Sequence, residues 1–332
     1  MNATANQATD APTASPIDLS QHTFLVLGGG PDGEREVSIR SATGIANGLK
    51  AAGLRAHLQI IDTPTLAELK ALPGDAIIPY LHGPWGEGGP LQDLLEQDGR
   101  PYLGSGPRPA RTAMDKVATK MAAMDLGIPT MPCWVLSLRD PVCPARLPVI
   151  IKPIHEGSTL GLHVCTSHQQ FAEAVAAIAA ERASGIDRAY MIEPKIGSDR
   201  PARELTVGLL DGVPLPIIEI TPKDGLYDFQ SKYNRNDTVY RCDPEIPEKI
   251  AKQISKATSR LAKAIGCRHI ARADFMLDPD GHAWLLEINT TPGFTDHSLV
   301  PKAAAHAGIP MPELCRRLAE MTIRDARRHP TA

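Results

Sequence analysis

The chain has 332 residues, which is long enough for two or three domains with a sizeable buried core. Its 35 Lys and Arg residues against 38 Asp and Glu residues give a net charge of -3, so we expect no nucleic-acid partner and no anionic membrane partner. The hydrophobic content of 42% is that of a globular protein, and no apolar run approaches the ~20 residues of a membrane helix.

The N-terminus and the cysteines indicate the compartment. Residues 1–20 are rich in Ala, Thr and Pro, lack the basic start and apolar centre of a signal peptide, and predict a disordered tail. The cysteines have no metal-ligand or redox-motif spacing, which favours free thiols in a reducing compartment. We therefore expect a cytoplasmic protein.

Residues 21–107 predict an α/β domain with a parallel sheet. Apolar runs at 23–27, 55–61 and 75–81 predict strands, and helices are predicted from 34 to about 52 and from 91 to 97. The loop at 28–33 is rich in glycine but lacks the G-x-G-x-x-G spacing, which argues against dinucleotide binding.

Two polar residues in this domain follow predicted strands, at the sheet edge where open α/β sheets bind ligands. Glu34 starts a helix, where a carboxylate most often serves as a cap, although it can also hold a substrate ammonium. His82 follows the third strand; a lone histidine is more often structural, although it can orient a substrate.

Residues 108–196 predict a second domain that supplies cations. One helix is predicted over 111–127, carrying Lys116 and Lys120, and a strand at 147–153 delivers Lys152. Residues 155–161 form a loop of small residues, called the phosphate loop below, whose backbone amides can close over phosphate oxygens. Each lysine alone is more often a solvated surface charge, but Lys116 and Lys152 together suit phosphate.

Residues 197–332 predict a third domain. Strands are predicted at 203–210 and 216–220, a helix at 247–265 and a final helix at 311–324, and an aromatic loop at 226–233 suggests a lid. Two further strands are joined by a turn at 279–281 and form a hairpin.

The hairpin carries a cluster of polar residues. Side chains alternate between the faces of a strand, so a register that places Asp274 opposite Glu287 also places Arg272 opposite Asn289 on the same face. Two carboxylates and an amide oxygen suit Mg²⁺, which is usually completed by water and nucleotide phosphates. The alternative is a salt bridge in which Arg272 neutralises a carboxylate, and the hairpin alone leaves both open.

Eight motifs connect these features, at 29–38, 81–87, 114–116, 151–158, 204–206, 227–233, 272–274 and 287–299. With these motifs in this order, the chain resembles the D-alanine:D-alanine ligases of the ATP-grasp superfamily from about residue 23 to residue 318. The resemblance implies a mixed α/β fold with a three-domain ATP-grasp architecture and an N-terminal parallel-sheet domain, with the nucleotide between the central and C-terminal domains.

The resemblance also implies a reaction. ATP would phosphorylate the carboxylate of a first D-alanine, and the amine of a second D-alanine would attack the acyl phosphate to give D-alanyl-D-alanine for peptidoglycan synthesis. Two Mg²⁺ ions, for which Mn²⁺ can substitute, would assist, and the protein would be a homodimer.

The family's site residues carry over to this sequence in four groups. The resemblance implies ATP binding by Lys116, Lys152, Glu193, Ile196, Glu204 and Lys232. It implies metal binding by Asp274, Glu287 and Asn289. It implies catalytic roles for Glu34, Ser158, Tyr233, Arg272 and Gly293, and substrate binding by His82, Ser298 and Leu299.

The implied roles are distinct. Glu34 would hold the ammonium of the first D-alanine and connect through Ser158 to Tyr233, which closes the lid. Arg272 and the Gly293 amide would stabilise the oxyanion. His82 would lie near the carboxylate of the first D-alanine. Ser298 and Leu299 would bind the carboxylate of the second D-alanine.

The chain departs from the family pattern at a few positions. Gly88 replaces the usual Asp, which is expected to loosen that loop, and Thr159 replaces a Ser. Pro194 and Lys195 follow Glu193 where the family is often acidic or aromatic, and the stretch 197–202 is longer than usual. No metal ligand or phosphate lysine is lost, so we expect an active enzyme.

Other functions remain as alternatives. The chain resembles dipeptide-forming members at Lys232 and Tyr233, which argues against D-lactate as the second substrate. Another ATP-grasp carboxylate–amine ligase, or a D-alanine:D-lactate-type ligase, would share the ATP half. A silent nucleotide-binding protein would lack a metal ligand or Arg272, and a nicotinamide-dependent oxidoreductase would need the missing glycine fingerprint.

Overall fold

The computed structural model of the protein describes residues 17–157, 160–197, 200–222, 238–295 and 298–328. These residues form three β-sheets with helices packed around them. Within these ranges no helix has both the length and the apolar character needed to cross a bilayer. All six cysteines fall in the described ranges and are unbridged thiols.

The first sheet is parallel, as the sequence predicted, with strand order β2-β1-β3. Its strands are β1 (Thr23–Gly29), β2 (Arg55–Ile61) and β3 (Ala76–Pro79). Four helices accompany it, after a short 3-10 turn at Leu19–Gln21: α1 (Arg35–Ala51), α2 (Leu66–Ala71), α3 (Gly83–Glu87) and α4 (Pro90–Asp98).

Helix α3 was not predicted, because its glycines indicated a loop. The backbone amide of Trp85 donates to Asp32 Oδ2 at 2.8 Å, so a side chain from the loop after β1 satisfies an amide of the first turn. Gly83 has φ of +87°, and a Cβ atom there would lie 2.4 Å from Asp32 Cβ. Glycine is therefore required for this close approach.

The second sheet is antiparallel, with strand order β4-β7-β5-β6. It contains β4 (Trp134–Val135), β5 (Val149–Pro153), β6 (His163–Cys165) and β7 (Tyr190–Pro194), with helix α7 (His168–Ala183).

The single helix predicted over 111–127 is wrong, because the structure has α5 (Pro107–Met114) and α6 (Lys116–Asp125). Asp115 separates them in an extended conformation, and its side chain accepts a hydrogen bond from the Ala118 amide at 2.9 Å. This N-cap outweighs helical continuity and places Lys116 at the start of α6.

The third sheet is antiparallel, with order β11-β10-β8-β12-β13 and β9 paired to β8. Its strands are β8 (Arg203–Leu210), β9 (Val213–Pro214), β10 (Ile218–Thr221), β11 (Val239–Cys242), β12 (Ile270–Leu277) and β13 (Ala283–Asn289). The remaining helices are α8 (Glu248–Ile265), α9 (Leu299–His306) and α10 (Met311–Arg328).

The strands of each sheet fall inside one predicted domain, while the boundaries near 107 and 196 stay predictions. One buried core nevertheless joins the first and last parts of the chain, since Phe24 and Leu49 belong to the same cluster as Leu314. A Cβ atom added to Gly48 in α1 would lie 2.4 Å from Cys315 Sγ in α10. These two helices are therefore in close contact.

Candidate active site

The β12–β13 hairpin has the predicted register. Asp274 lies opposite Glu287, and Arg272 lies opposite Asn289. The register shifts by one residue immediately after Asp274, which leaves Leu286 as the extra residue of a β-bulge. The four polar residues lie on one side of the bulge, so their common face is preserved.

Asp274 is buried and accepts hydrogen bonds from two side chains. Arg272 Nη2 donates to Oδ2 at 2.8 Å, and Thr206 Oγ1 donates to Oδ1 at 2.6 Å. Strand β8 supplies Thr206 directly opposite Asp274, and Glu204 lies two residues earlier on the same face of β8. The salt bridge expected as an alternative is therefore present, and Glu204 is near the same cluster.

Lys116 approaches the hairpin from the start of α6. Its Nζ lies 3.3 Å from Glu287 Oε2 and donates to the backbone carbonyl of Glu156 at 2.5 Å. Lys116 is only 7% exposed, so the reading of this lysine as a solvated surface charge is wrong. The contact connects the hairpin with the phosphate loop.

A small cavity of about 30 Å³ lies among these groups. Lys116, Glu156 and Glu287 contribute to its wall, and so do Glu87 and Asn289. Residues from all three predicted domains therefore meet at one position.

The candidate metal ligands are two carboxylates and one amide oxygen. Within the described chain no three His, Cys, Asp or Glu side chains are grouped to hold a metal ion. The hairpin set still fits Mg²⁺, because this ion typically takes one or two protein carboxylates and leaves the remaining positions to water and phosphates. Protein cations already contact both Asp274 and Glu287, which shows that this position accommodates positive charge. Asn289 Oδ1 is oriented by the Thr291 amide at 2.7 Å.

Glu193 lies between two buried lysines. Lys152 Nζ is 2.5 Å from Oε1, and Lys120 Nζ is 2.8 Å from Oε2. The second contact is electrostatic, since among the described residues Oε2 has no well-aligned hydrogen-bond donor. Burial alone would raise the pKa of Glu193, but Lys152 and Lys120 outweigh it and hold the pKa below its usual value.

This triad leaves one positive charge in excess, which suits an anionic ligand. Lys152 and Lys120 are both at most 9% exposed, so neither is the solvated charge that a single lysine usually indicates. The sequence pattern alone assigns no role to Lys120. Its spacing of four residues from Lys116, on the same helix face, was the available signal.

Glu34 does not cap α1. It precedes the first residue of the helix, but its side chain makes no capping hydrogen bond, and it is 5% exposed. A Cβ atom added to Gly157 would lie 3.0 Å from Glu34 Oε2. The capping alternative is therefore wrong, and the carboxylate lies beside the phosphate loop.

His82 is buried after β3, next to the strand that precedes Glu34. Burial, and then the positive charge of Arg272, lower the pKa of His82 to about 4. Its Nε2 lies 3.3 Å from Ser41 Oγ. The imidazole is therefore neutral near pH 7 and is held within the site as a polar group without charge.

Glu87 is a candidate residue that the sequence analysis did not assign. Its Oε1 accepts a hydrogen bond from the Gly83 amide at 3.1 Å. Burial, and then the negative charge of Glu34, raise the pKa of Glu87 well above its usual value. Its position at the end of the 81–87 motif was the signal that could have identified it.

The second-substrate residues lie after the hairpin. Ser298 Oγ accepts from the Thr295 amide at 2.9 Å, and a Cβ atom on Gly293 would lie 3.1 Å from the same oxygen. Leu299 begins α9 and is 9% exposed. Tyr80 OH donates to the Pro292 carbonyl at 2.7 Å and so connects this segment to the first sheet.

The remaining predicted residues are placed as follows. Ile196 lies two residues after β7, where the Lys195 amide donates to the Pro148 carbonyl at 3.0 Å. Ser158, Lys232 and Tyr233 lie outside the described residues, as do Thr159 and the predicted lid at 226–233.

Gly88 follows the last residue of α3, and the looser loop expected from its missing side chain stays a prediction. A Cβ atom at this position would lie 2.3 Å from the Pro84 carbonyl oxygen. The backbone therefore turns tightly at the end of α3, and the absence of a side chain permits this turn.

Comparison with known proteins gives a consistent result. The family model described as "D-ala D-ala ligase C-terminus" matches residues 138–320. The chain is 40% identical over 298 residues to a D-alanine–D-alanine ligase of Bordetella petrii, covering 87% of this chain and 89% of that protein. It is 35% identical over 304 residues to a D-alanine–D-alanine ligase of Saccharophagus degradans, covering 90% and 94%.

Solved structures are similar over nearly the whole fold. The D-alanine–D-alanine ligase from Bacillus anthracis, complexed with ATP, has a TM-score of 0.75 at 27% identity, covering 92% of this chain and 99% of that one. The D-alanine–D-alanine ligase from Coxiella burnetii has a TM-score of 0.76 at 26% identity, covering 93% and 97%.

Proposed function

The chain belongs to the D-alanine–D-alanine ligase family, and we propose that it joins two D-alanines into D-alanyl-D-alanine while converting ATP to ADP and phosphate. The product would serve as a peptidoglycan precursor. The observation that carries the proposal is the pairing of Asp274 with Glu287 across the hairpin, with Lys116 3.3 Å from the second carboxylate.

The ATP half of the reaction requires cations and a carboxylate pair. Lys116 and Lys152 would contact phosphate oxygens, with Lys232 as a third cation from the lid. Glu193 and Ile196 would border the adenine, and Glu204 the ribose. The excess positive charge around Glu193 supports this assignment, because buried ammonium groups in a low-dielectric site attract anions strongly.

Two Mg²⁺ ions, for which Mn²⁺ can substitute, belong to the proposal. Asp274, Glu287 and Asn289 would hold them. When bound, these ions neutralise charge on the phosphates during transfer.

The amino-acid half depends on residues around the first sheet and the hairpin. Glu34 would bind the ammonium of the first D-alanine, and neutral His82 would lie near its carboxylate without adding charge. Arg272 and the Gly293 amide would stabilise the oxyanion formed when the second amine attacks. Ser298 and Leu299 would receive the carboxylate of the second D-alanine.

Ser158 and Tyr233 complete the proposal from the sequence. Ser158 would connect Glu34 to Tyr233, which would close the site and exclude water from the acyl phosphate. Because ATP is a cytoplasmic nucleotide, the proposal places the enzyme in the cytoplasm, and it includes a homodimer.

The test is D-alanine-dependent ADP release in the presence of Mg²⁺, with the product identified by mass. Parallel reactions contain D-alanine, L-alanine, or D-alanine with D-lactate. Release with D-alanine alone, giving the dipeptide, is the expected result. Release only with another acceptor would keep the ATP chemistry but replace the substrate, and no release in any reaction would overturn the proposal.

A further inference from the structure

Glu156 joins the phosphate loop to two different parts of the protein. Its backbone carbonyl accepts a hydrogen bond from Lys116 Nζ at 2.5 Å, and its Oε1 accepts one from Arg188 Nε at 2.8 Å. The next residue, Gly157, lies beside the Glu34 carboxylate. The position of Glu156 therefore affects both a proposed phosphate lysine and the proposed anchor of the first D-alanine.

Arg188 is itself held by α7. Its Nη1 donates to Glu181 Oε1 at 2.5 Å, and the other oxygen of Glu181 accepts from Tyr190 OH at 2.7 Å. A Cβ atom on Gly161 would lie 3.0 Å from the same Tyr190 hydroxyl. This network, Arg188, Glu181 and Tyr190, therefore donates a hydrogen bond to Glu156 and lies beside Gly161, two residues of the phosphate loop.

The geometry of the contact favours an arginine over a lysine. A planar guanidinium places donors on two edges at fixed angles, so one side chain can hold the carboxylates of Glu156 and Glu181 at once. The Arg188 side chain is 31% exposed and that of Glu156 is 16% exposed, so water screens this ion pair only partly.

We propose that Arg188 is a positioning residue for ATP binding, which holds Glu156 so that Glu156, Gly157 and Lys116 are arranged before the nucleotide arrives. The inference rests on the proposed function. Arg188 does not line the small cavity beside Glu287, so its effect reaches the site through Glu156.

A positioning role predicts a specific kinetic pattern. If loss of Arg188 reduces the fraction of molecules with this arrangement of Glu156 to roughly one fifth, the KM for ATP rises about fivefold, because apparent affinity scales with the competent fraction. The kcat at saturating ATP stays within about twofold, since bound nucleotide restores the arrangement.

The variants are Arg188→Gln, Arg188→Lys and Glu156→Gln, with Arg182→Gln as the matched control. Arg182 also pairs with an acidic residue, but its side chain is 60% exposed and its partner, Asp187, is not a residue of the loop. Each protein is measured for KM and kcat with ATP, for melting temperature, and for hydrogen exchange of the peptide covering 150–165.

The expected result is a raised KM for ATP and faster exchange in Arg188→Gln and Glu156→Gln, with Arg182→Gln unchanged. A protein carrying both Arg188→Gln and Glu156→Gln should show a KM for ATP close to that of either single variant, and Arg188→Lys should retain part of the wild-type affinity for ATP. Two results would overturn the inference: equal behaviour of Arg188→Gln and Arg182→Gln, or a fall in kcat that tracks a lower melting temperature, as general destabilisation produces.

Failure of the proposed function is distinguishable from failure of this inference. The first appears as no D-alanine-dependent ADP release by the wild-type protein. In that case the hydrogen-exchange comparison still decides whether Arg188 holds the loop.

Discussion

Asp274 lies directly opposite Glu287 in the β12–β13 hairpin, and a different protein cation contacts each of these carboxylates. Arg272 lies 2.8 Å from Asp274, and Lys116 lies 3.3 Å from Glu287. Arg272 belongs to β12 and Lys116 to α6. Loss of either carboxylate would therefore leave more positive charge where the hairpin meets the phosphate loop.

Replacing Glu287 by Gln should abolish most activity while preserving the fold. The Glu287 side chain is 24% exposed and belongs to a polar cluster, so the variant removes the charge of a proposed metal ligand without disturbing apolar packing. We expect D-alanine-dependent ADP release to fall by about 100-fold or more, since a metal contributes several kcal/mol of charge stabilisation. Circular dichroism checks the fold, and Glu248→Gln on α8 is the control. Retained turnover would remove Glu287 from the metal site.

Replacing Glu34 by Gln should weaken binding of the first D-alanine. A charged hydrogen bond of this kind contributes about 1.5–3 kcal/mol, so the KM for the first D-alanine should rise about 10- to 100-fold. The measurement is the initial rate against D-alanine concentration at saturating ATP. Glu36→Gln, an exposed carboxylate two residues later in the same helix turn, should leave the KM unchanged. Equal KM values in the two variants would refute the role of Glu34.

Replacing Glu193 by Gln should destabilise the protein around its second sheet. The variant leaves Lys120 and Lys152 facing each other without a carboxylate, and breaking a buried ion pair in this way costs about 3 kcal/mol or more. Urea denaturation measures the loss, with exposed Glu173→Gln as the control. Adding Lys120→Met to the Glu193→Gln variant should restore part of the stability. An unchanged unfolding midpoint in Glu193→Gln would contradict the charge balance described for the triad.

His82 should make stability depend on pH below neutrality. A histidine in the unfolded chain has a pKa of about 6.5, whereas burial lowers the pKa of folded His82 to about 4. Between these values the unfolded state binds a proton that the folded state does not, so the free energy of unfolding falls as the pH is lowered.

At low pH the lowered pKa of His82 reduces the free energy of unfolding by about 3 kcal/mol in full, and above about pH 6.5 this loss vanishes. Urea denaturation at several pH values between about 4.5 and 7 measures the free energy of unfolding. This free energy should depend less steeply on pH in His82→Gln than in the wild type. Identical slopes would show that the buried imidazole takes up a proton without penalty.

The proposed homodimer has a direct test. Sedimentation at micromolar concentration should give twice the 35.7 kDa mass of the chain. A mass equal to one chain at that concentration would contradict the homodimer.

Local sequence patterns correctly predicted the register of the hairpin and the end of a helix, because neighbouring residues alone determine these features. The two-residue period of a strand and the turn at 279–281 determined which side chains of the hairpin face each other, and Gly266 correctly marked the end of α8. The break at Asp115 was not predicted, because Asp is tolerated inside a helix as well as at its N-cap. The choice depends on distant contacts, such as the Lys116 amide donating to the Ile154 carbonyl at 3.2 Å.

The sequence predicted which residue types form the candidate site, but it did not predict how deeply they are buried or which of them carry a charge. Lysine side chains usually remain in water. The burial of Lys120 and Lys152 can therefore be predicted only when the position of Glu193 between them is known, and Glu193 lies on a strand that is distant in sequence. The neutral state of His82 and the high pKa of Glu87 likewise depend on desolvation, which single-residue patterns do not report.

The close contact between α1 and α10 has a consequence for synthesis on the ribosome. Phe24 and Leu49 share their buried cluster with Leu314 and Leu318, which are translated almost last. The N-terminal sheet therefore emerges long before the helix that covers part of its apolar surface, and this surface stays exposed to chaperones or to other nascent chains during elongation. Truncations that remove α10 should accordingly produce insoluble protein even though every proposed catalytic residue is retained.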